Sequence, residues 1–137
     1  MEKDYLNIFK DHKSIAVIGY SDKKQRASNR IGRYLLEHGY EVTGVNPFIK
    51  EEVIDNIQVY NTIYDIPRNI DIVNIFRRSE FLYDHITEIL SLNTKPKVIW
   101  TQLGVIDPEA KKLAEDNGIK YVQNKCIMVE HNKLFSE

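Results

Sequence analysis

Short apolar runs alternate along this chain with longer segments of helical periodicity, and this alternation constrains the fold more than any other feature of the sequence. The runs are rich in valine, isoleucine and aromatic residues. Nearly continuous apolar runs of this length are typical of strands buried on both faces of a parallel sheet. We therefore predict about five main strands, at residues 14–19, 41–45, 70–76, 97–101 and 120–123.

Helices are predicted before and between these strands. Ser79 and Asp107 stand where N-caps are needed, and Pro108 suits a first helical position. Gly39 and Gly118 stand where two of the helices would end. The apolar stripes of the predicted helices are Tyr5, Ile8 and Phe9; Ile31, Tyr34 and Leu35; Leu82, Ile86, Ile89 and Leu90; and Ala110, Leu113 and Ala114.

Repetition of strand, helix and strand implies right-handed crossovers and a doubly wound sheet with helices on both faces. The chain has 137 residues, of which 42% are hydrophobic and 28% charged, as in an ordinary globular domain. The sequence predicts one α/β domain over residues 1–137, with three layers and a mostly parallel sheet. A short extra strand is expected near residues 58–60, and a helical turn before Pro67.

Charge and cysteine content argue against several classes of protein. The formal net charge is −1, from 19 basic and 20 acidic residues, whereas proteins that wrap nucleic acid carry a strong basic excess. The single cysteine excludes an internal disulfide and fits a reducing compartment. The sequence shows neither a signal-peptide pattern nor an apolar run of membrane-spanning length. We expect a cytoplasmic protein that binds neither nucleic acid nor membrane.

Cations gather after two of the predicted strands. In doubly wound sheets, ligands bind beyond the carboxyl ends of the strands, where strand order reverses. Strand 14–19 is followed by Lys23, Arg26 and Arg30 beside a predicted helix N-terminus, and strand 70–76 by Arg77 and Arg78. Helix N-termini and arginine forks both favour phosphate oxygens. The pattern therefore predicts a phosphate-binding site.

The residues after the second strand narrow the choice of ligand. An NAD site needs an acid at this position to accept a hydrogen bond from the ribose 2′-hydroxyl. Here the sequence reads Val45, Asn46 and Pro47, without a carboxylate. A ligand with an additional ribose phosphate would explain both the missing acid and the extra cations. NADP and coenzyme A both satisfy this description.

Four segments, in this order, resemble the small single-domain CoA-binding proteins: AVIGYSDKKQRASNRIGRYLLEHGYEVTGVNP, DIVNIFRRSE, VIWTQLGV and CIMVEH. The domain of that family is similar to the CoA-binding domain of succinyl-CoA synthetase α subunits, and the resemblance extends over about residues 14–134. It implies a three-layer Rossmann-like fold, with coenzyme A or an acyl-CoA lying across the strand ends.

The resemblance also implies roles for particular residues. The turn at the pyrophosphate would be formed by Gly19, Tyr20 and Ser21, since glycine lets the backbone approach closely. Further phosphate contacts would come from Lys23, Arg26, Ser28 and Arg30. The adenine–ribose side would be lined by Asn46, Pro47 and Phe48, the cleft bordered by Phe76, Arg77 and Arg78, and the pantetheine arm faced by Gln102 and Gly104.

Candidates for catalysis are few. Cys126 fits either a small buried hydrophobe or a thiol that forms a mixed disulfide with coenzyme A. His131 fits either a base or a structural group, and His85 is interpreted as structural or at the surface. Neither a metal-ligand spacing nor a P-loop motif occurs. The sequence therefore favours a non-catalytic module that binds coenzyme A, without metal.

Two alternatives belong to other functional classes. The basic loop is also consistent with an NADP-dependent oxidoreductase, although no convincing proton donor accompanies it. A nucleotide-sensing interaction module is the other alternative. A protein partner or a homodimer is left open by the sequence.

Overall fold

The computed structural model describes residues 2–136, with side chains described from residue 4 onward. One sheet contains seven strands: β1 (Ser14–Ile18), β2 (Glu41–Val45), β3 (Val53–Ile54), β4 (Ile57–Tyr60), β5 (Ile72–Ile75), β6 (Val98–Thr101) and β7 (Lys120–Val122). The helices are α1 (Glu2–Asp11), α2 (Ala27–Glu37), α3 (Leu82–Leu90), α4 (Pro108–Asp116) and α5 (Ile127–Phe135). A 3₁₀ turn at Ile63–Asp65 is the helical turn predicted before Pro67.

Strand order in the sheet is β3-β4-β2-β1-β5-β6-β7. All neighbouring pairs are parallel except β3 with β4, which is antiparallel. The chain progresses from β1 through β2 to β4 on one side, and from β5 to β7 on the other. The order therefore reverses between β1 and β5. The predicted Rossmann-like, doubly wound α/β fold is confirmed.

Alternating side chains of each strand enter two hydrophobic clusters on opposite faces of the sheet. On one face, Ile15 and Val17 of β1 share a cluster with residues of α1, α2 and α5. On the other face, Ala16 and Ile18 share a cluster with residues of α3 and α4. All five residues of β1 are buried, as expected for a central strand between two helical layers.

The two predicted N-caps have different outcomes. Asp107 accepts from the backbone N–H groups of Glu109 and Ala110, which confirms it as an N-cap. The prediction that Ser79 is the N-cap of α3 is wrong, because α3 begins only at Leu82, after a short 3₁₀ turn. Its hydroxyl instead donates to the Gly104 carbonyl and accepts from the N–H of Ile106. This serine therefore joins the loop after β5 to the loop after β6.

Helix α5 was not predicted. Cys126 precedes it without a side-chain capping bond, so the sequence offers no helix-start signal there. The helix packs against α1 and α2 on one face of the sheet. No helix among the described residues has the length and apolar character needed to cross a membrane. That residues 1–137 form a single domain stays a prediction.

Candidate functional site

The turn after β1 lies at the point where strand order reverses. Gly19 has φ +87°, and a Cβ atom there would lie 2.4 Å from the carbonyl oxygen of Phe76. The Gly19 N–H donates to the Val45 carbonyl over 2.9 Å, and the Phe76 N–H donates to the Ile18 carbonyl over 2.9 Å. The turn is thus tied to the ends of β2 and β5, and only glycine fits in it.

A depression of about 290 Å³, called here the α2 depression, lies between this turn and the start of α2. Arg26 occupies the N-cap position of α2 and makes no side-chain capping bond, and the first turn of the helix carries no acidic residue. The Ser28 hydroxyl accepts from the Ser21 N–H, which holds the turn against the helix. The residues lining the depression include Gly19, Ser21, Lys23, Arg26, Ser28 and Phe76.

A second hollow of about 170 Å³, called here the β1–α3 cavity, lies on the other side of Gly19. Gly19 lines both hollows, so they meet at this residue. Part of the wall of the cavity is apolar and consists of Ile18, Val45 and Pro47. Its polar wall consists of Asn61, Thr62, Arg77, His85 and Glu88.

Electrostatics of the polar wall depend on three side chains. Burial, and next the charge of Arg77, lower the pKa of His85, while Asp84 acts in the opposite direction. Burial raises the pKa of Glu88. The Nδ1 atom of His85 lies 4.0 Å from a carboxylate oxygen of Glu88. The wall therefore combines a fixed cation, an imidazole held towards its neutral form and a partly desolvated carboxyl group.

Arg77 and Arg78 share one aromatic neighbour. Both guanidinium carbons lie 5.1 Å from the centre of the Phe81 ring, within the range of a cation–π contact. Arg78 also lies 3.4 Å from Glu80. The buried Nε of Arg77 has no hydrogen-bond partner among residues 2–136. Phe81 thus contacts both arginines, and Arg77, the one that lines the cavity, has a donor without a partner in the described part of the chain.

The side chain of Tyr20 points away from the turn that Tyr20 was predicted to form with Gly19 and Ser21. The ring is fully buried and lies directly over Gly44 and Gly32, where a Cβ atom would come within 2.6 and 2.9 Å of it. Its hydroxyl donates to the Ile54 carbonyl. Burial, with a smaller contribution from Asp55, raises the pKa of Tyr20 to about 12. This side chain points into the core, so only the backbone of Tyr20 belongs to the turn.

The loop after β2 is built on Asn46. Its amide nitrogen donates to the Tyr20 carbonyl over 2.8 Å, and its amide oxygen accepts from the Phe48 N–H over 2.9 Å. Phe48 is 83% exposed, so its ring is available to a ligand. Arg30 lies on α2 and does not line the depression. Its side chain is exposed, and its guanidinium group donates to the Gln25 carbonyl.

Gln102 and Gly104 follow β6, which is separated from β1 in the sheet by β5. They line neither hollow. The Gly104 N–H donates to the side-chain oxygen of Asn124. The side-chain oxygen of Gln102 is buried without a hydrogen-bond partner in the described part of the chain. The structure therefore places these two residues at the same end of the sheet but outside the central pair of hollows.

Both candidate reactive groups lie in the core. Cys126 is 8% exposed and belongs to the cluster with α1, α2 and α5. His131 is 4% exposed, and its Nδ1 lies 2.9 Å from the Tyr34 hydroxyl. Phe9 and Phe135 contact its ring. Among the side chains described, those of residues 4–136, no three His, Cys, Asp or Glu are grouped as metal ligands.

Four residues of the polar wall of the cavity were not among the predicted site residues. Asn61 and Thr62 follow β4, so applying the strand-end rule to the short predicted strand would have found them. His85 and Glu88 lie on α3, three residues apart, beside the apolar stripe. Nothing in the sequence distinguishes them from surface residues, and the interpretation of His85 as structural or at the surface did not place it in the wall of a cavity.

Comparison with known proteins gives this arrangement a family. A sequence profile described as a CoA binding domain matches residues 13–132. The chain belongs to this family.

Three relatives of this CoA binding domain protein match it along nearly their whole length. The uncharacterized protein YneT of Bacillus subtilis is 36% identical over 124 residues, which cover 90% of this chain and 89% of YneT. A solved structure from Thermus thermophilus has a TM-score of 0.92 and 33% identity, covering 98% of this chain and 99% of that one. A structure from Pyrococcus horikoshii has a TM-score of 0.91 and 34% identity, with coverages of 99% and 93%.

Proposed function

We propose that this protein binds coenzyme A or an acyl-CoA at the carboxyl ends of its parallel strands, without catalysing a reaction on it. The observation that carries the proposal is the α2 depression. It combines a glycine turn, a helix N-terminus without a side-chain cap, and the cations Lys23 and Arg26. Backbone N–H groups and positive charge at such a position favour phosphate.

Coenzyme A fits the donors that this edge of the sheet offers. Ser21, Lys23, Arg26 and Ser28 would hold the pyrophosphate, together with the backbone of Gly19 and Tyr20. Arg77 lies against Gly19, where the two hollows meet, and its Nε, which has no partner among the described residues, would donate to a phosphate oxygen there. The remaining contacts in this proposal are Arg30 and Arg78 to phosphates, Asn46, Pro47 and Phe48 to the adenosine, Phe76 to the cleft border, and Gln102 and Gly104 to the pantetheine arm.

A binding role is supported by the position of the two groups that could react. Cys126 and His131 are both at least nine-tenths buried and lie outside the two hollows, Cys126 in the cluster with α1, α2 and α5 and His131 against rings of the same helices. A thiol or imidazole needs contact with the reacting atoms to act on them. A cytoplasmic location and a partnership limited to small molecules and proteins belong to the same proposal, because the chain has one cysteine and near-zero net charge.

Thermal unfolding in the presence of candidate ligands tests the proposal. Coenzyme A and acetyl-CoA should stabilise the protein, by about 2.7 kcal/mol at one hundred times the dissociation constant. Dephospho-CoA should stabilise it less, because it lacks the ribose phosphate, and NAD should have little effect. Stabilisation by NADP but not by coenzyme A would contradict the proposal and favour an oxidoreductase. No stabilisation by any of these ligands would contradict nucleotide binding.

A further inference from the structure

The two hollows that meet at Gly19 differ in charge. Among the described residues, the lining of the α2 depression contains no acid and two cations, Lys23 and Arg26. The lining of the β1–α3 cavity contains both the carboxyl group of Glu88, whose side chain is only 36% exposed, and the guanidinium group of Arg77. A ligand that spans both hollows therefore meets different chemistry on the two sides of one glycine.

The charges of the two hollows favour different parts of a phosphorylated ligand. In the cavity, the Glu88 carboxylate repels a phosphate and offsets the attraction of Arg77, whereas the α2 depression has no acid to offset Lys23 and Arg26. His85, the neighbour of Glu88, is held towards its neutral form by burial and Arg77, so it adds little positive charge to the cavity. The cavity therefore suits an uncharged part of the ligand that donates a hydrogen bond to a carboxylate.

The apolar wall indicates the shape of that part. Ile18, Val45 and Pro47 form one side of the hollow, and the polar side chains form the other. A flat heteroaromatic ring with a donor on its edge presents an apolar face and a polar edge together. A purine base with an exocyclic amino group has this combination.

We propose that Glu88 is a specificity-determining residue, which accepts a hydrogen bond from the exocyclic amino group of a purine base bound in the β1–α3 cavity. This inference rests on the proposed function, since the base is the adenine of the proposed ligand. It assigns to α3 a recognition role that selects a 6-amino purine over a 6-oxo purine. A 6-oxo group would place an acceptor against the carboxylate where the 6-amino group places a donor.

The test compares two ligands that differ only in the base, adenosine 3′,5′-bisphosphate and inosine 3′,5′-bisphosphate. Isothermal titration should give the unmodified protein at least about a tenfold preference for the adenosine ligand, equal to about 1.4 kcal/mol. In Glu88→Gln the ratio should approach one, because a glutamine amide can either accept or donate. The ratio is taken within each protein, so a change in overall stability cancels.

Glu37→Gln is the matched control, since it makes the same charge change at an exposed position near the end of α2, away from both hollows. It should keep the preference of the unmodified protein. Equal affinities of the unmodified protein for the two ligands, or an unchanged ratio in Glu88→Gln, would overturn the inference alone. If the unmodified protein bound neither these bisphosphates nor coenzyme A, the proposed function would be overturned, and the inference with it.

Discussion

Arg26 stands at the N-cap of α2, a position where serine, threonine, aspartate or asparagine normally accepts a hydrogen bond from the first turn. Arginine has no acceptor, so the helix forgoes about 1 kcal/mol of stabilisation that a capping side chain would contribute. The same absence leaves the helix start open towards the α2 depression. At this residue, the requirements of the free protein and of the proposed ligand point in opposite directions.

Replacing Arg26 with serine should therefore change stability and affinity in opposite senses. The free protein should gain up to about 1 kcal/mol from the new cap. Its affinity for coenzyme A should fall about tenfold or more, because a charge-assisted hydrogen bond contributes about 1.5–3 kcal/mol. Chemical denaturation and titration calorimetry would measure the two effects. Arg68→Ser, an exposed arginine outside both hollows, is the control and should leave affinity unchanged. Unchanged affinity in Arg26→Ser would place the phosphates elsewhere.

At the scale of the elements, α5 packs against α1 and α2 through a buried histidine, His131. His131 lies among rings from α1, α2 and α5 and approaches His38, whose ring centre is 5.2 Å away. Burial, and next the charge of His38, lower the pKa of His131 from its usual 6.5. The folded protein therefore resists protonation of this group more than the unfolded chain does.

This difference predicts an acid-sensitive packing of α5. Because the unfolded chain binds the proton more readily, the free energy of unfolding should fall as the pH is lowered through about 6.5. Above that value both states are neutral at this site and the effect vanishes. In His131→Gln, the slope of unfolding free energy against pH should be shallower than in the unmodified protein, as measured by urea denaturation between about pH 5.5 and 7.5. An identical slope would show that other groups dominate.

The elements were more predictable than their contacts. Periodicity located the strands at β1, β2, β5, β6 and β7, because each is largely buried and rich in apolar residues. Helix α5 was missed, since packing against α1 and α2, not a cap, determines where it lies. Ser79 matched a local capping pattern, but a tertiary contact with the loop at residues 104–106 uses its hydroxyl instead.

The candidate site divides in the same way. Arg26, Ser28 and Arg77 were predictable because they follow strand ends, and the strand order brings those ends together. Glu88 was not predictable, because its position in the cavity depends on how α3 is rotated against the sheet. The direction of Tyr20 was equally hidden, since nothing local shows that Gly32 and Gly44 leave space for its ring.

At the scale of the whole molecule, the two hydrophobic clusters share the same strands. Residues of β1 alternate between them, so neither cluster can dissolve without exposing the strands that support the other. Trp100 lies in one cluster, so its fluorescence reports on that face of the sheet, whereas α3 packs on the other face.

Unfolding should accordingly be a single cooperative transition. Tryptophan fluorescence, which reports on the face covered by α1, α2 and α5, should change together with far-ultraviolet circular dichroism, which reports on all helices. Coincident midpoints in urea would support the single-domain prediction for residues 1–137. Separate midpoints would contradict it and indicate that one helical layer unfolds first.

The packing of the Tyr20 ring makes ligand retention sensitive to substitutions far from the ligand. The ring packs over Gly44 and Gly32, so any side chain at either glycine must displace Tyr20, whose backbone forms part of the turn that begins at Gly19. A saturation library screened for retention on immobilised coenzyme A should therefore lose function at Gly32 and Gly44 even where the variants remain folded. Such a screen would thus identify two positions whose side chains never contact the ligand.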